Sequence, residues 1–286
     1  MKNKELKIAG IVTLYNPTDT DISNIFTYID DIDVLYIIDN TEGNSNENRI
    51  PENNKIQYIF KNENVGVATA LNIGANKAIE EGYEWLLTMD QDTTFKPGVI
   101  KEMKKIILSK DMSKIGIVTP WHNTKLETER PKDRIDYPLE VMTSGNLVNL
   151  RLYQEIGGYK DWMFIDGIDI EYGLNLSKNG YKIMRLNYLE IEHNLGDIFY
   201  RNILWKRALI TNHSYLRRYY MVRNYSYIRD MYRKYNKQYV DMITKQKAFV
   251  INILLFEKDK YRKIRNMLRG YMDYKKGIKG KYRFKD

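Results

Sequence analysis

The chain has 286 residues, enough for one large domain or a domain with an appendage, and its 43% hydrophobic content can supply a core. It has no cysteine, which excludes disulfides and thiolate metal sites and makes the reducing cytoplasm the expected home. The net charge of +9 is uneven: residues 201–286 hold 24 Lys and Arg against 6 Asp and Glu, so a body of net charge −9 carries a tail region of +18.

"KIAGIVTLY" (7–15) has the apolar run of a buried strand, and Asn16-Pro17 turns the chain. "ISNIFTYI" (22–29) carries helical spacing. "VLYIID" (34–39) and "IQYIF" (56–60) are strands with a polar loop between them. "NENVGVATALNIGANKAIEEG" (62–82) begins as a loop and becomes an Ala-rich helix. "EWLLTMD" (84–90) is a fourth strand. A helix begins near Pro97 and runs to about Leu108, and "IGIVTP" (115–120) is a fifth strand. Strands alternating with helices of this length predict a mostly parallel α/β sheet with covered faces. Ligands of such sheets bind at the carboxyl ends of strands, where Asp39, Asp90 and Asp92 fall.

After Pro120 a polar loop is expected (121–138), then a strand (140–150), a short helix ended by Gly157-Gly158, a helix (168–181) stopped by Gly180, and a strand (182–193). From about Ile198 the pattern is helical to the end. All 6 prolines lie at or before Pro138, and 12 of the 24 tyrosines lie after residue 200. This composition shift sets a boundary near 197–205, and hence a domain over 1–200 and a basic, Tyr-rich helical region over 201–286. No signal-peptide pattern precedes the first strand. The longest apolar run, "FVINILLF" (249–256), is far short of the roughly 20 residues of a membrane span.

Asp90-x-Asp92 fits two readings, a solvated loop that caps the next helix or a metal site. A second acidic cluster, "FIDGIDIEYG" (164–173), favours the second, because hard divalent cations take oxygen ligands and bridge to phosphates. A metal-bound nucleotide would use both.

The ordered series "IVTLYNP", "IIDNT", "NVGVATALNIG", "MDQDTTFKPG", "TSGNLVN", "IGGYKDWMFIDGIDIEYGLNLSKNGY" and "IEHNLG" resembles the inverting GT-A-fold glycosyltransferases of family two. Within that family it is most similar to bacterial rhamnosyltransferases of surface-polysaccharide assembly. The resemblance covers roughly residues 7–230. It implies a Rossmann-like sheet with a helical extension and the transfer of a sugar, L-rhamnose from dTDP-rhamnose, to a saccharide acceptor. UDP-galactofuranose or another UDP-hexose is the alternative donor, and a non-catalytic nucleotide-sugar-binding scaffold is the alternative of another class.

Carried over residue by residue, Thr13, Tyr15 and Asn16 would line the nucleotide pocket and Asp39 would bond the base. Asn64 and Gly66 would approach the nucleoside, with Asn72 as a further contact. Asp90 would meet the ribose or the metal, and Asp92 would hold Mg²⁺ or Mn²⁺ between the phosphates with His193 as a third ligand. The family's base is the second acid of a Glu-Asp pair. Here Asp169 takes that position but follows Ile168, which leaves Asp166 as its rival, either as the base or as an acceptor contact. In "RRYYMVRN" the resemblance favours Arg223 and one of Arg217 and Arg218, with Arg218 taken, as contacts to the diphosphate. His122 and His213 have no such support and are expected to be surface or structural.

The family's acceptors are often lipid-linked, and the basic amphipathic stretch 243–285 suits an anionic membrane surface without a span. No nucleic-acid-binding motif appears, and the acidic body argues against that partner.

Overall fold

A computed structural model describes residues 6–124, 129–193, 199–203, 206–244 and 247–283. For 193, 199–203, 206–209 and 247–249 it describes the backbone only. The chain divides into two compact units. One comprises Met1–Tyr159 with Tyr172–Asn194, the other Lys160–Glu171 with Leu195–Asp286. Part of the expected boundary region, 194–198 and 204–205, lies outside the described residues.

In the first unit, β1 (Ile8–Leu14) leads to a capped helix α1 (Asp19–Asn24), then β2 (Val34–Asp39), β3 (Ile56–Phe60) and helix α2 (Val67–Glu80). Next come β4 (Trp85–Asp90), β5 (Thr93–Phe95), α3 (Val99–Ser109), β6 (Ile115–Asn123), β7 (Ile135–Asp136), β8 (Asn146–Asn149) and α4 (Leu150–Ile156). Helix α5 (Ile168–Lys178), whose residues up to Glu171 belong to the second unit, and β9 (Lys182–His193) complete it. The helix expected over 22–29 is α only to Asn24 and continues as two short 3-10 turns.

Among the described residues the sheet order is β3-β2-β1-β4-β8-β6-β9-β5, with β7 also on β9. The pairs β1–β2, β2–β3, β1–β4 and β6–β9 are parallel, so six of the nine strands share one direction. β8 runs antiparallel between β4 and β6, and β5 and β7 run antiparallel to β9. Ile8, Ile11, Val12, Leu14, Leu35 and Ile37 are fully buried in this sheet. Each such side chain contributes roughly 1.5–3 kcal/mol on burial. Helix α2 lies close to β1 because Gly74 has no side chain; a Cβ there would stand 2.6 Å from Ile11 Cδ1.

Two features of the sheet position a site. The chain proceeds outward from β1 to β2 to β3 and then returns to β4 on the other side of β1. This makes the carboxyl ends of β1 and β4 a switch point, where open α/β sheets bind ligands. Three peptide links join Asp90 at the end of β4 to Thr93 at the start of β5, a reach of about 11 Å. Four strand spacings in a flat sheet would need about 19 Å. The sheet therefore curls, and it brings the end of β9 back toward the end of β4.

In the second unit, the stretch expected to be helical from Ile198 begins instead as an antiparallel hairpin, β10 (Phe199–Ile203) with β11 (Lys206–Ile210). Aromatic Phe199 and Tyr200 and β-branched Ile203 fit a strand as well as a helix turn. Helices α6 (Tyr215–Tyr232), α7 (Lys237–Ile243), α8 (Lys247–Phe256) and α9 (Lys260–Lys275) follow. α6 and α9 touch at Gly270, where a Cβ would come within 2.4 Å of the Tyr219 carbonyl oxygen.

Candidate functional site

The register sets Thr13 of β1 beside Asp90 of β4, and Leu14 beside Asp39. The Thr13 hydroxyl and the Asn40 side-chain carbonyl are buried and have no hydrogen-bond partner among the described residues. Buried polar atoms are rarely left so unless a ligand or water serves them. Tyr15 and Asn16, just past β1, are exposed. The Asn16 amide (φ +46°) donates to Thr41 Oγ1 at 3.0 Å.

Past β4, Asp90 is held by its amide, which donates to Ser144 Oγ at 2.9 Å. His122, 4% exposed, donates from Nε2 to the Ser144 carbonyl at 2.7 Å. Thr88 Oγ1 donates to the Thr143 carbonyl at 2.6 Å, and the Gly145 amide donates to the Thr88 carbonyl at 2.7 Å. The "TSGN" motif thus latches the strand end that carries the aspartates, and His122 is a buried structural residue of that latch. Asp92 is exposed and has no hydrogen bond among the described residues. Thr93, the residue after it, lies opposite His193 in the β5–β9 pair. The backbone of His193 therefore adjoins the Asp-x-Asp turn, while its side chain lies outside the described residues.

Gln91, between the two aspartates, has no role in the sequence reading, yet it ties this turn to the first loop. Its Oε1 accepts the Tyr15 amide at 2.8 Å, and its carbonyl accepts Asn24 Nδ2 at 2.9 Å. Only the neighbouring Pro17 turn and the Asp-x-Asp pattern could have hinted that this central residue bridges two loops.

Asn64 Oδ1 accepts the Gly66 amide at 3.0 Å, closing a small turn. Gly66 (φ +85°) then opens α2, a conformation that other residues resist. Asn40 Nδ2 donates to the Gly66 carbonyl at 3.4 Å, joining the loop after β2 to this turn.

Two expected ligand contacts, Asp39 and Asn72, are engaged by protein groups. Asp39 has no exposed surface; it accepts from the Thr41 amide at 2.9 Å, from Asn46 Nδ2 at 2.9 Å and amide at 3.2 Å, and from the Tyr58 hydroxyl. Burial pushes its pKa up, but the hydrogen bonds from Thr41, Tyr58 and Asn46 outweigh this and hold it below the usual carboxylate range. These bonds order the 40–46 loop. Asn72 is likewise internal: it donates to the Tyr159 carbonyl at 2.8 Å and accepts from the Tyr153 hydroxyl at 2.5 Å.

The second unit holds the other acidic cluster and the arginines. Arg218, 2% exposed, pairs with Glu257 at 2.6 Å and donates to Thr211 Oγ1 at 2.9 Å. Arg223 has no exposed surface and donates to the Gly280, Trp162 and Met163 carbonyls at 2.5, 3.0 and 3.2 Å. Both guanidiniums are thus buried against protein acceptors, an arrangement different from the expected contact with a diphosphate. Arg217 is the exposed one of the three, and its guanidinium clasps the Asp166 carboxylate, with Nε at 3.1 and 3.2 Å from the two oxygens.

Asp166 (φ +63°) has its carboxylate committed to that clasp. Asp169, in the first turn of α5, has no side-chain partner among the described residues; one oxygen accepts the Ile170 amide at 2.9 Å. Burial raises its pKa, with the nearby Asp166 charge adding to this and Arg217 opposing it. A carboxylate with raised proton affinity and a free oxygen is suited to accept a proton. Glu171 is fully buried, with the Tyr232 hydroxyl donating to it at 2.5 Å. His213 is pushed down to about 3 by burial and by the charges of Arg217, Arg218 and Lys263.

Comparison with known proteins places this geometry in context. The chain is 23% identical over 229 residues to the dTDP-rhamnosyl transferase RfbF of Shigella flexneri, covering 74% of this chain and 76% of that protein. Among solved structures it resembles S. aureus TarS 1-349, with TM-score 0.56 and 12% identity over 94% of this chain and 81% of that one. The same protein in complex with UDP-GlcNAc matches with TM-score 0.54 and 12% identity over 98% and 94% of the two chains. A structure of GalNAc-T7 with UDP, GalNAc and Mn²⁺ matches with TM-score 0.52 and 12% identity over 66% of this chain; this chain spans only 43% of that one's length. These likenesses show a GT-A fold. The family model described as "Glycosyl transferase family 2" matches residues 23–165, half of the sequence, from the first helix to Ile165. By the reach of that match the chain belongs to glycosyl transferase family 2.

Proposed function

We propose that the protein is an inverting glycosyltransferase that moves L-rhamnose from dTDP-rhamnose to a saccharide acceptor. The observation that carries the donor site is the switch point itself. There an exposed Asp92 follows Asp90, and among the described residues neither Asp92 nor the buried Thr13 hydroxyl beside them has a hydrogen-bond partner. Thr13, Tyr15, Asn16, Asn64 and Gly66 are the residues for the nucleoside, with Asp39 ordering the loop between them. The likeness to a dTDP-rhamnosyl transferase supports the choice of donor.

The residues present fit a divalent ion, since two carboxylates offer hard oxygen ligands, the preference of Mg²⁺ and Mn²⁺. Among the described residues no three His, Cys, Asp or Glu side chains gather, so the set is Asp92 with Asp90, and His193 from the adjoining strand end. When bound, the ion would neutralise charge developing on the leaving diphosphate. Asp169 takes the proton from the acceptor hydroxyl as that oxygen attacks the anomeric carbon. The C–O bond to the diphosphate breaks in the same displacement, which inverts the centre. Asp166, clasped by Arg217, is the acceptor-side contact.

The second unit supplies a surface for an acceptor on a membrane. Tyr261, Arg265, Leu268 and Met272 recur at helical spacing on α9, and the three apolar ones are 77%, 61% and 52% exposed. Arg262, Arg269 and Lys276 flank this stripe, and Ile251, Leu254 and Leu255 are exposed on α8. Among the described residues no helix is long and apolar enough to cross a membrane. An anionic lipid surface satisfies the basic and the apolar groups together, whereas a nucleic acid would leave Leu268 and Met272 in water. Loss of sedimentation with anionic vesicles at low salt would remove this part of the reading.

The donor is tested with a panel of dTDP-rhamnose, UDP-galactofuranose and UDP-hexoses with Mg²⁺ or Mn²⁺, scored by release of nucleoside diphosphate. Turnover of dTDP-rhamnose, with inverted configuration in the product, is expected. Turnover of a UDP-sugar alone would move the donor, and binding without any turnover would leave a scaffold.

A further inference from the structure

Residues 164–167 form a turn that the backbone disfavours. Phe164 (φ +66°), Asp166 (φ +63°) and Gly167 (φ +82°) all have positive φ, and two of them are not glycine. Strain of this kind persists only where surrounding groups over-determine it. Here those groups come from α6. Asn224 is fully buried, and its Nδ2 lies 2.9, 2.8 and 2.8 Å from the carbonyl oxygens of Met163, Ile165 and Asp166. Its Oδ1 accepts Arg223 Nε at 3.0 Å, which fixes which way the amide faces. Arg223 itself donates to the Trp162 and Met163 carbonyls. Its charge has no carboxylate partner among the described residues; it rests on carbonyls and on the faces of Tyr219 and Tyr220, 5.4 and 4.9 Å away.

A buried guanidinium without an acid is costly, and a neutral side chain could fill the same volume. The positions on α6 explain the arrangement. Arg217 and Asn224 are seven residues apart and share a helix face, with Tyr220 between them stacked 5.1 Å from Phe164. Arg217 holds the carboxylate of Asp166 while Asn224 holds its carbonyl. Gly167 sits where a Cβ would come within 3.1–3.2 Å of Tyr225 and Ile228, and Asp169 follows two residues later.

We infer that Arg223 and Asn224 are positioning residues, which hold the strained 164–167 turn so that Asp169 is presented to the acceptor hydroxyl. This rests on the reading of Asp169 as the base. It replaces the expectation that Arg223 binds the diphosphate, and the two make opposite kinetic claims.

The test compares wild type with Asn224→Asp and Arg223→Lys, using the donor that the panel identifies and titration of its nucleoside diphosphate with Mn²⁺. Asn224→Asp keeps the acceptor for Arg223 but cannot donate to the turn. A displaced base costs about 10²-fold in kcat while the donor KM and nucleotide affinity stay within about twofold of wild type. A kcat within about threefold of wild type in both variants would overturn the inference, as would a matching loss of nucleotide affinity, which a diphosphate contact requires. If Asn224→Asp does not fold, Asn224→Ser keeps one donor and should show a smaller loss of kcat with the same unchanged affinity. Asp169→Asn is measured in parallel. Full activity there sinks the base itself, whereas an inactive Asp169→Asn beside a normal Asn224→Asp sinks only the positioning role.

Discussion

Replacing Glu257 by Leu should unsettle the C-terminal unit far more than a single side chain's contacts suggest. Glu257 is 1% exposed and stands between two buried cations, Arg218 at 2.6 Å and Lys263 at 2.9 Å, themselves 2% and 3% exposed. Lys263 also donates to Asn212 Oδ1 at 2.8 Å. At an effective dielectric constant near 20, each contact supplies about 6 kcal/mol of gross attraction. Desolvating three charges costs several kcal/mol apiece, so the cluster as a whole adds little over apolar packing. Removing its centre is different, because two like charges then stay buried without an anion. The expected cost is about 3–5 kcal/mol. Native-state hydrogen exchange on the amides of α6 reads it directly, as roughly 10²- to 10⁴-fold faster exchange through local opening. The triple variant Arg218→Met, Glu257→Leu, Lys263→Met should recover most of the loss. If Glu257→Leu alone costs under about 1 kcal/mol, the cations are solvated in the folded state and the reasoning fails.

Three further outcomes follow from the geometry. Gly270→Ala gains about 1 kcal/mol of helix propensity, but its Cβ meets the Tyr219 backbone oxygen, which cannot swing aside. A net loss of about 1–3 kcal/mol is expected in a thermal melt, and a raised melting temperature would show that α9 can shift off α6. His213 keeps a folded pKa of about 3, below its ordinary value, so the unfolded chain takes up its proton first. Stability should be unaffected above about pH 6.5 and fall as pH drops from there toward 3. His213→Gln should flatten that slope in acid unfolding curves; an unchanged slope would assign it to other groups. Asp39→Asn would set an amide nitrogen or a weaker acceptor against the Thr41 and Asn46 donors, at a cost of about 1–3 kcal/mol in loop order. Weaker nucleotide binding with unchanged kcat at saturation is expected by kinetics, and a normal KM would detach the loop from the donor pocket.

Much of the first unit was legible because its signals are local. The apolar runs at 7–15, 34–39, 56–60 and 84–90 each become a strand of the sheet within a residue or two. An apolar run bounded by Asn, Gly or Pro has few other ways to hide its side chains while pairing its backbone. The hairpin of β10 and β11 was missed because residues 199–210 carry no turn dipeptide and mix Arg and Lys with apolar groups. The antiparallel insertion of β8 was also invisible, since a strand's direction in a sheet depends on partners far along the chain.

The division is sharpest among the charged residues. Sequence alone determined that acids stand at strand ends, that a second acidic cluster lies at 164–173, and that basic charge gathers after residue 200, because these are facts of order and count. Only the tertiary structure decided which of those charges are free. Arg217, Arg218 and Arg223 share one helix, yet the first is exposed and the other two are sealed in, since rotation about the helix axis and the packing of α9 set what each one meets. Asp39 is closed off by Tyr58, 19 residues away, while Asp92 stays open because nothing described folds over it. A charge acquires a task from its surroundings, and those are assembled from parts of the chain that no local pattern connects.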